Sequence, residues 1–424
     1  MSDALGVAAA ARRIRAGALS SEALVRSCLE RIAAREAAVG AWTWIDPERA
    51  IAAAREADRS ASAGPLHGIP IAAKDIIDTF DMPTGLGFAP YASRQPSWDA
   101  ACVAACRRAG AIVLGKTVTT EFAYFAPGKT RNPHDLNATP GGSSSGSAAA
   151  VADGMVPVAF GSQTAGSLVR PAAFCGIYGY KGGHGEFSLA GIRPLSESLD
   201  TLGVLARSVE DLRLLRDVLL DRPVAEHAVE RARAPRLGLY KTPHWEAVQP
   251  AGRAALETAV ERLRSAGARV EALRAPASLA PIEDAQRTVM AYEAARGYVF
   301  ECSRHAQELS PQFRALCDQG RAMARRQYLD ALGQIAVAQA DVARAFAGFD
   351  AWIAAAALGE APPASQGTGD PVLSRPWTAL QAPAVAIPAG FGPGGLPLGI
   401  QLLAPKGSDD ALLATAAWVA ERLA

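Results

Sequence analysis

Along the chain, apolar positions recur with two alternating periods. From residue 4 to 60 they fall at three- and four-residue steps: Leu5, Ala9 and Ile14, then Leu24, Cys28 and Ile32, with Ser20-Ser21-Glu22 offering a cap. That spacing predicts amphipathic helices. Between 66 and 90 the period breaks: Gly68, Pro70, Pro83, Gly85 and Gly87 punctuate the short apolar piece Ile69 to Ala73, which reads as a strand running into loops. Trp98 to Ala109 predicts a helix, Ala111 to Leu114 a short buried strand, and 126 to 146 a polar, glycine-rich loop. Small residues resume a helix from Ser147 to Asp153, and Val156 to Phe160 reads as another strand. Long helical patterns rich in Ala, Arg and Leu fill 209 to 222, 250 to 266 and 282 to 347. Ala384 to Pro388, Gly399 to Leu403 and Asp409 to Leu423 then predict strand, strand and closing helix. Strands alternating with helices argue for an α/β sheet. No Pro/Ser-rich linker, long charge run or fixed-period repeat divides the chain, so one large domain is expected.

Composition narrows the function. With 424 residues, 50% hydrophobic and 20% charged, the chain can bury a large core. Its 43 Lys+Arg against 42 Asp+Glu create no overall field that would gather nucleic acid or anionic lipid. The expected partner is a small molecule, with neither nucleic acid nor membrane. Met1-Ser2-Asp3 places an acid where a secretory signal needs positive charge, and the apolar run behind it ends at Arg12-Arg13, so no export signal is read and a cytoplasmic location is expected. The run Ala354 to Leu358 beside Trp352 and Ile353 is far shorter than the roughly 18 apolar residues of a membrane span. Six cysteines show no CxxC, and six histidines show neither HxxxH nor HxH. No metal is expected, and buried free thiols are the reading for Cys102 and Cys106 on one helix face.

Two motif matches fail on context. Gly110 to Thr117 satisfies GxxxxGK followed by Ser or Thr, the phosphate-cradling loop, but a helix precedes it and its variable positions are themselves an apolar strand. Gly142-Ser143-Ser144-Ser145-Gly146 fits the nucleophile elbow GxSxG, yet polar turn sequence precedes it and no Asp…His pair stands out downstream. The third signal is longer. Gly141 to Lys181 reads GGSSSGSAAAVADGMVPVAFGSQTAGSLVRPAAFCGIYGYK, with Thr164-Ala165-Gly166-Ser167 a second small-residue run 24 residues after Ser143 (167 − 143). Runs of Gly and Ser let backbone N–H groups approach a ligand closely, and two such loops can face one reacting carbonyl.

This block resembles the amidase signature family, whose hallmark is a glycine/serine stretch, a nucleophile-bearing loop and Pro-Ala-x-x-Cys-Gly, here Pro171 to Gly176. His67 to Asp75 is similar to the family's lysine segment, and Gly115-Lys116-Thr117 with Glu121-Phe122-Ala123 to its GKT…EFA piece, which explains the phosphate-loop mimic. Ser196 to Gly203 and Gly395 to Gln401 extend the likeness. The resemblance implies a central mixed β-sheet covered by helices on both faces. It implies one domain over 1–424: N-terminal helices in 1–60, a catalytic core in 61–210, a mainly helical region in 211–375, and a return to the sheet in 376–424. It also implies Ser167 as nucleophile, Ser143 as a bridging serine in a cis peptide, and Lys74 as general base. Backbone N–H groups of Thr164, Ala165, Gly166 and Ser167 would form the oxyanion hole, with no cofactor. A serine hydroxyl needs a base, and a lysine can be one only when burial strips its charge. Asp75 is the structural rival for Lys74.

Four departures colour that picture. Gln163 stands where most members have Asp, Ala165 where most have Gly, and Arg170 three residues after the nucleophile instead of two. Gln163 with Arg170 is similar to the malonamidase-like subgroup, in which the arginine meets a substrate carboxylate. Arg170, Ser144 and Gln163 are therefore the expected substrate-binding residues. Ala165 is acceptable if its φ is negative. Lys181-Gly182-Gly183 replaces the usual Lys-Pro-Thr. The expected reaction is hydrolysis of a small carboxamide. Aryl-amide, ester or carbamate hydrolysis is the alternative, and the A component of an amidotransferase or a silent scaffold are further ones. The pocket is expected from the middle helices and the 360 to 380 loop, with Tyr124, Tyr292 and Trp377 as candidates. A homodimer is an option the sequence leaves open.

Overall fold

The short apolar pieces become strands of one mixed sheet. The computed structural model describes residues 5–61, 64–224 and 233–424. Its strands are β1 (Trp42–Ile45), β2 (Pro70–Lys74), β3 (Ile112–Thr117), β4 (Val158–Gln163), β5 (Tyr178–Lys181), β6 (Thr201–Ala206), β7 (Arg236–Leu239), β8 (Arg269–Ala272), β9 (Ala351–Ala355), β10 (Ala384–Phe391) and β11 (Pro397–Leu403). They lie in the order β1-β3-β2-β4-β6-β5-β10-β11-β9-β7-β8. β2 runs parallel to β3 and β4, and β7 parallel to β8 and β9, whereas the other neighbours are antiparallel.

Every residue of β2, β3, β4, β6 and β9 is buried. Successive side chains of a strand point to opposite faces, so both faces of this sheet are covered. The cover includes Val169–Cys175, a helix buried along its whole length that packs on β5, β10 and β11. Small residues make close packing possible: a Cβ at Gly146, in the buried helix Ser145–Ala152, would lie 2.2 Å from the Ala41 carbonyl oxygen.

Two expectations need correction and two gain detail. The 4–60 segment is not helical throughout: between the helices Ser21–Val39 and Pro47–Arg59, Trp-Thr-Trp-Ile forms β1 and pairs with β3. The helical pattern could not reveal this, because four residues are too few to show a period. The strand expected over Ala111 to Leu114 continues through Gly115-Lys116-Thr117, all buried. The middle region supplies β7, β8 and β9, including the apolar run near Ala354, which is a sheet strand. The 282–347 pattern is four helices, Ile282–Gly297, Val299–Arg304, Pro311–Ala322 and Arg325–Ala345. Residues 1–4, on which the leader reading rests, and 225–232, part of the middle region, lie outside the described residues. No helix among the described residues is long and apolar enough to cross a membrane.

Candidate active site

Lys74 is the last residue of β2, at the carboxyl end of a parallel pair with β4, and β4 ends one residue before Thr164. Carboxyl ends of parallel strands are where α/β sheets build sites. Lys74 is fully buried, and its Nζ lies 2.7 Å from Ser143 Oγ, 2.8 Å from Ser162 Oγ and 3.1 Å from Ser144 Oγ. Burial pulls the ammonium down to about 7, opposed by the Asp200 charge. A neutral amine has two N–H donors and one lone pair, so three hydroxyls satisfy it only if one of them donates. Ser144 already donates to the Ser162 carbonyl, at 3.3 Å, leaving Ser143 or Ser162 as the proton giver. Asp75 does not compete: it accepts from the Gly85 N–H and lies 3.6 Å from Lys116.

The Gly142-Ser143 peptide bond is cis. The Ser144 N–H donates to the Ser167 carbonyl at 3.2 Å, which ties the two small-residue loops together. In the second loop every carbonyl from Gln163 to Ser167 has a partner elsewhere. The Gln163 carbonyl accepts from Thr201 Oγ1 (3.2 Å), that of Thr164 from Gln286 Nε2 (2.8 Å), and that of Ala165 from Thr378 Oγ1 (3.0 Å). Gly166 accepts from the Arg170 N–H (3.1 Å). The N–H groups of Thr164, Ala165, Gly166 and Ser167 donate to nothing among the described residues. Carbonyls pulled outward leave N–H groups for an oxyanion. Ala165 has no positive φ, so the departure from Gly is tolerated there.

Thr164 to Ser167, Arg170, Tyr124, Phe125, Leu195, Met290 and Pro371 line a pocket of about 10 Å³, room for roughly one water. Tyr124, Phe125, Met290 and Pro371 also line an adjoining chamber of about 660 Å³, shared with Arg287, Asp370 and Arg375. Arg170 is buried. Its Nη2 donates to the Gly142 carbonyl at 2.7 Å and to Thr368 Oγ1 at 3.3 Å, whereas Nε and Nη1 have no partner. Burial lowers its guanidinium to about 9 against the pull of Asp370.

Comparisons with known proteins identify the family and the fold. The Amidase family profile matches residues 23–413. The chain is 32% identical to the A component of the glutamyl-tRNA(Gln) amidotransferase of Chloroflexus aurantiacus, covering 94% of this chain and 92% of that one. Against the same component from Symbiobacterium thermophilum it is 33% identical, covering 96% and 94%. Among solved structures, an amidase superposes with a TM-score of 0.91 at 29% identity, covering 99% and 100%. The peptide amidase of Stenotrophomonas maltophilia does so at 0.86 and 30%, covering 99% and 97%. The chain belongs to the amidase signature family.

Within this amidase-signature chain, the fold brings Lys74, Ser143, Ser144 and Ser167 together and separates other candidates from the pocket. Gln163 lies outside it: its Oε1 accepts the N–H groups of Leu168 and Val169 at 3.1 Å, and its Nε2 donates to Thr378 at 3.0 Å. It staples the loop to the next helix. Ser144 is wholly buried behind Lys74. Tyr124 does line the pocket, but Tyr292 stacks on Tyr328 and Trp377 packs against Trp352 and Tyr240. Ser162, Gln286, Thr378, Arg287 and Arg375 are not legible in the sequence as site residues. Ser162, two residues before Thr164 inside the Gly141 to Lys181 block, carries the one available signal.

Proposed function

We propose that this chain hydrolyses the C–N bond of a small carboxamide through an acyl-enzyme on Ser167. Neutral Lys74 takes a proton from Ser143, which takes the proton of Ser167 Oγ as that oxygen attacks the carbonyl carbon. The N–H groups of Thr164, Ala165, Gly166 and Ser167 are the donors for the oxyanion, a contribution of about 3 kcal/mol for one such donor. Ser143 returns a proton to the leaving nitrogen, releasing ammonia or an amine. Water then attacks the ester, the acid departs and Ser167 regains its proton. The observation that carries this reading is the shell around Lys74: three hydroxyls and, among the described residues, no carboxylate in contact. Ser167→Ala should abolish both amide turnover and labelling by a fluorophosphonate while circular dichroism is unchanged. Persistent labelling would move the nucleophile to another serine and sink the scheme.

The two unpartnered donors of Arg170 beside the pocket support a carboxylate-bearing substrate, the malonamidase-like reading, since an Arg fork matches a carboxylate. Arg170→Gln should weaken kcat/KM for an acidic amide by about 2–4 kcal/mol. Because Arg170 also holds the Gly142 carbonyl, a neutral amide should lose less but not nothing. Equal losses on both would make Arg170 a loop support only. Turnover of matched esters and carbamates would favour the broader hydrolase. The likeness to the Chloroflexus and Symbiobacterium proteins favours a second reading, the A component of an amidotransferase. Ammonia release from simple amides by the purified chain alone separates the two.

A further inference from the structure

The outer chamber carries a second cationic feature. Arg375 opens the short helix Arg375–Ala379, with Pro376 next to it fixing the first turn, and its side chain is only 5% exposed. Its Nη1 donates to Gln286 Oε1, its Nε has no partner, and no carboxylate lies within ion-pair distance among the described residues. Arg287, about half exposed, shares the chamber and lies 3.7 Å from Glu283, a carboxylate that His244 also engages, at 2.5 Å. The acid on the chamber wall itself, Asp370, accepts the Val372 N–H at 2.9 Å and forms no ion pair with either arginine. Burial and then the neighbouring Arg287 charge lower Arg375, while the charges of Asp370 and Glu283 pull the other way. A buried cation is ordinarily paired, so Arg375, buried with no carboxylate in ion-pair range among the described residues, marks a place for an anion, and the half-exposed Arg287 on the same chamber wall adds a second positive charge.

We propose that Arg375 and Arg287 form an anion subsite in the outer chamber, which takes a carboxylate carried several bonds away from the scissile carbonyl. The subsite lies across Met290 and Pro371 from the pocket of Ser167 and Arg170, residues that line both spaces. It therefore reads a longer arm than Arg170 does, and selects ω-amides of medium-length dicarboxylic acids or amides of comparable reach. This inference rests on the amidase reading for the scissile group, but the subsite itself can be measured without turnover.

Calorimetry on the Ser167→Ala protein, with glutarate, adipate and suberate against monocarboxylates of equal length, is the direct test. At least one dicarboxylate should bind at least tenfold more tightly than its monocarboxylate. Arg375→Gln and Arg287→Gln should each erase most of that ratio, with folding of both variants checked by thermal melting. The Arg287 side chain takes no part in the hydrogen bonds of Gln286, so its variant decides the matter if Arg375→Gln fails to fold. In turnover, the ratio of kcat/KM for adipamate over a neutral hexanamide should fall about tenfold in either variant. Dicarboxylates that bind no better than monocarboxylates, or a ratio that only Arg170→Gln lowers, would overturn the subsite. A chain that binds adipate through Arg375 yet cleaves no amide would retain the subsite and lose the amidase reading. Amide cleavage with no dependence on the distant carboxylate would do the reverse.

Discussion

Two lysines sit side by side in the sheet and are treated in opposite ways. Ala73 pairs with Lys116 across β2 and β3, and Lys74 pairs with Thr117, so the two amines belong to neighbouring rungs. Both are wholly buried, and burial lowers both, Lys74 to about 7 and Lys116 to about 8. Their partners differ. Lys116 Nζ donates to the Ile77 carbonyl and to Thr84 Oγ1, each at 2.6 Å, with the Asp75 carboxylate at 3.6 Å. A carbonyl and a carboxylate only accept hydrogen bonds, so they hold an ammonium in place. The hydroxyls around Lys74 can accept or donate, so they suit an amine that gains and loses a proton. Equal burial thus suits a strut in one place and, on the proposed scheme, a base in the other, and the donor inventory of the neighbours makes the difference.

The largest expected effect breaks the pair apart by function. Lys74→Ala should lower kcat by about a hundred- to ten-thousandfold, the usual worth of a positioned base, with little change in melting temperature. Lys116→Ala should act first on the fold, costing about 3–5 kcal/mol in urea unfolding because Asp75 is left buried without its partner. Similar kinetic losses in both variants at unchanged stability would erase the distinction. Next comes pH. Lys74 works only when neutral, so kcat/KM should rise about tenfold per pH unit below about 7 and level off above it. A profile flat between pH 5 and 9 would remove Lys74 as the base. Finer changes sharpen the contrast. Ser162→Ala takes one hydroxyl from Lys74 and should slow turnover roughly tenfold, whereas Thr84→Val beside Lys116 should cost about 1 kcal/mol of stability and leave kcat alone.

What can be read from the sequence follows the range of the interactions. Ile69 to Ala73 is legible as a strand because its apolar run is bounded by Gly and Pro, and the Gly/Ser block is legible because its residues are close in sequence. β7 and β8 are not: Arg-Leu-Gly-Leu and Arg-Val-Glu-Ala are four residues each and gain their identity from pairing with one another and, for β7, with β9. The same holds in the site. Lys74, Ser143 and Ser167 lie in recognisable segments, and the fold brings them together. Gln286 and Thr378, which hold the carbonyls of Thr164 and Ala165, lie 122 and 213 positions away from them, beyond the reach of any local pattern.

Those distant ties also set an order of events. Loop-closure entropy must be overcome before contacts so far apart in the chain can form, so they belong to the late stages of assembly. A ribosome-bound fragment ending before residue 375 would own the lysine, both serines and the entire small-residue loop, yet would lack Thr378 to turn the Ala165 carbonyl aside. On the proposed scheme, such a fragment would meet a reactive amide with its hydrolytic apparatus unset, and catalytic competence would arrive with the C-terminal segment rather than with the residues assigned to the chemistry.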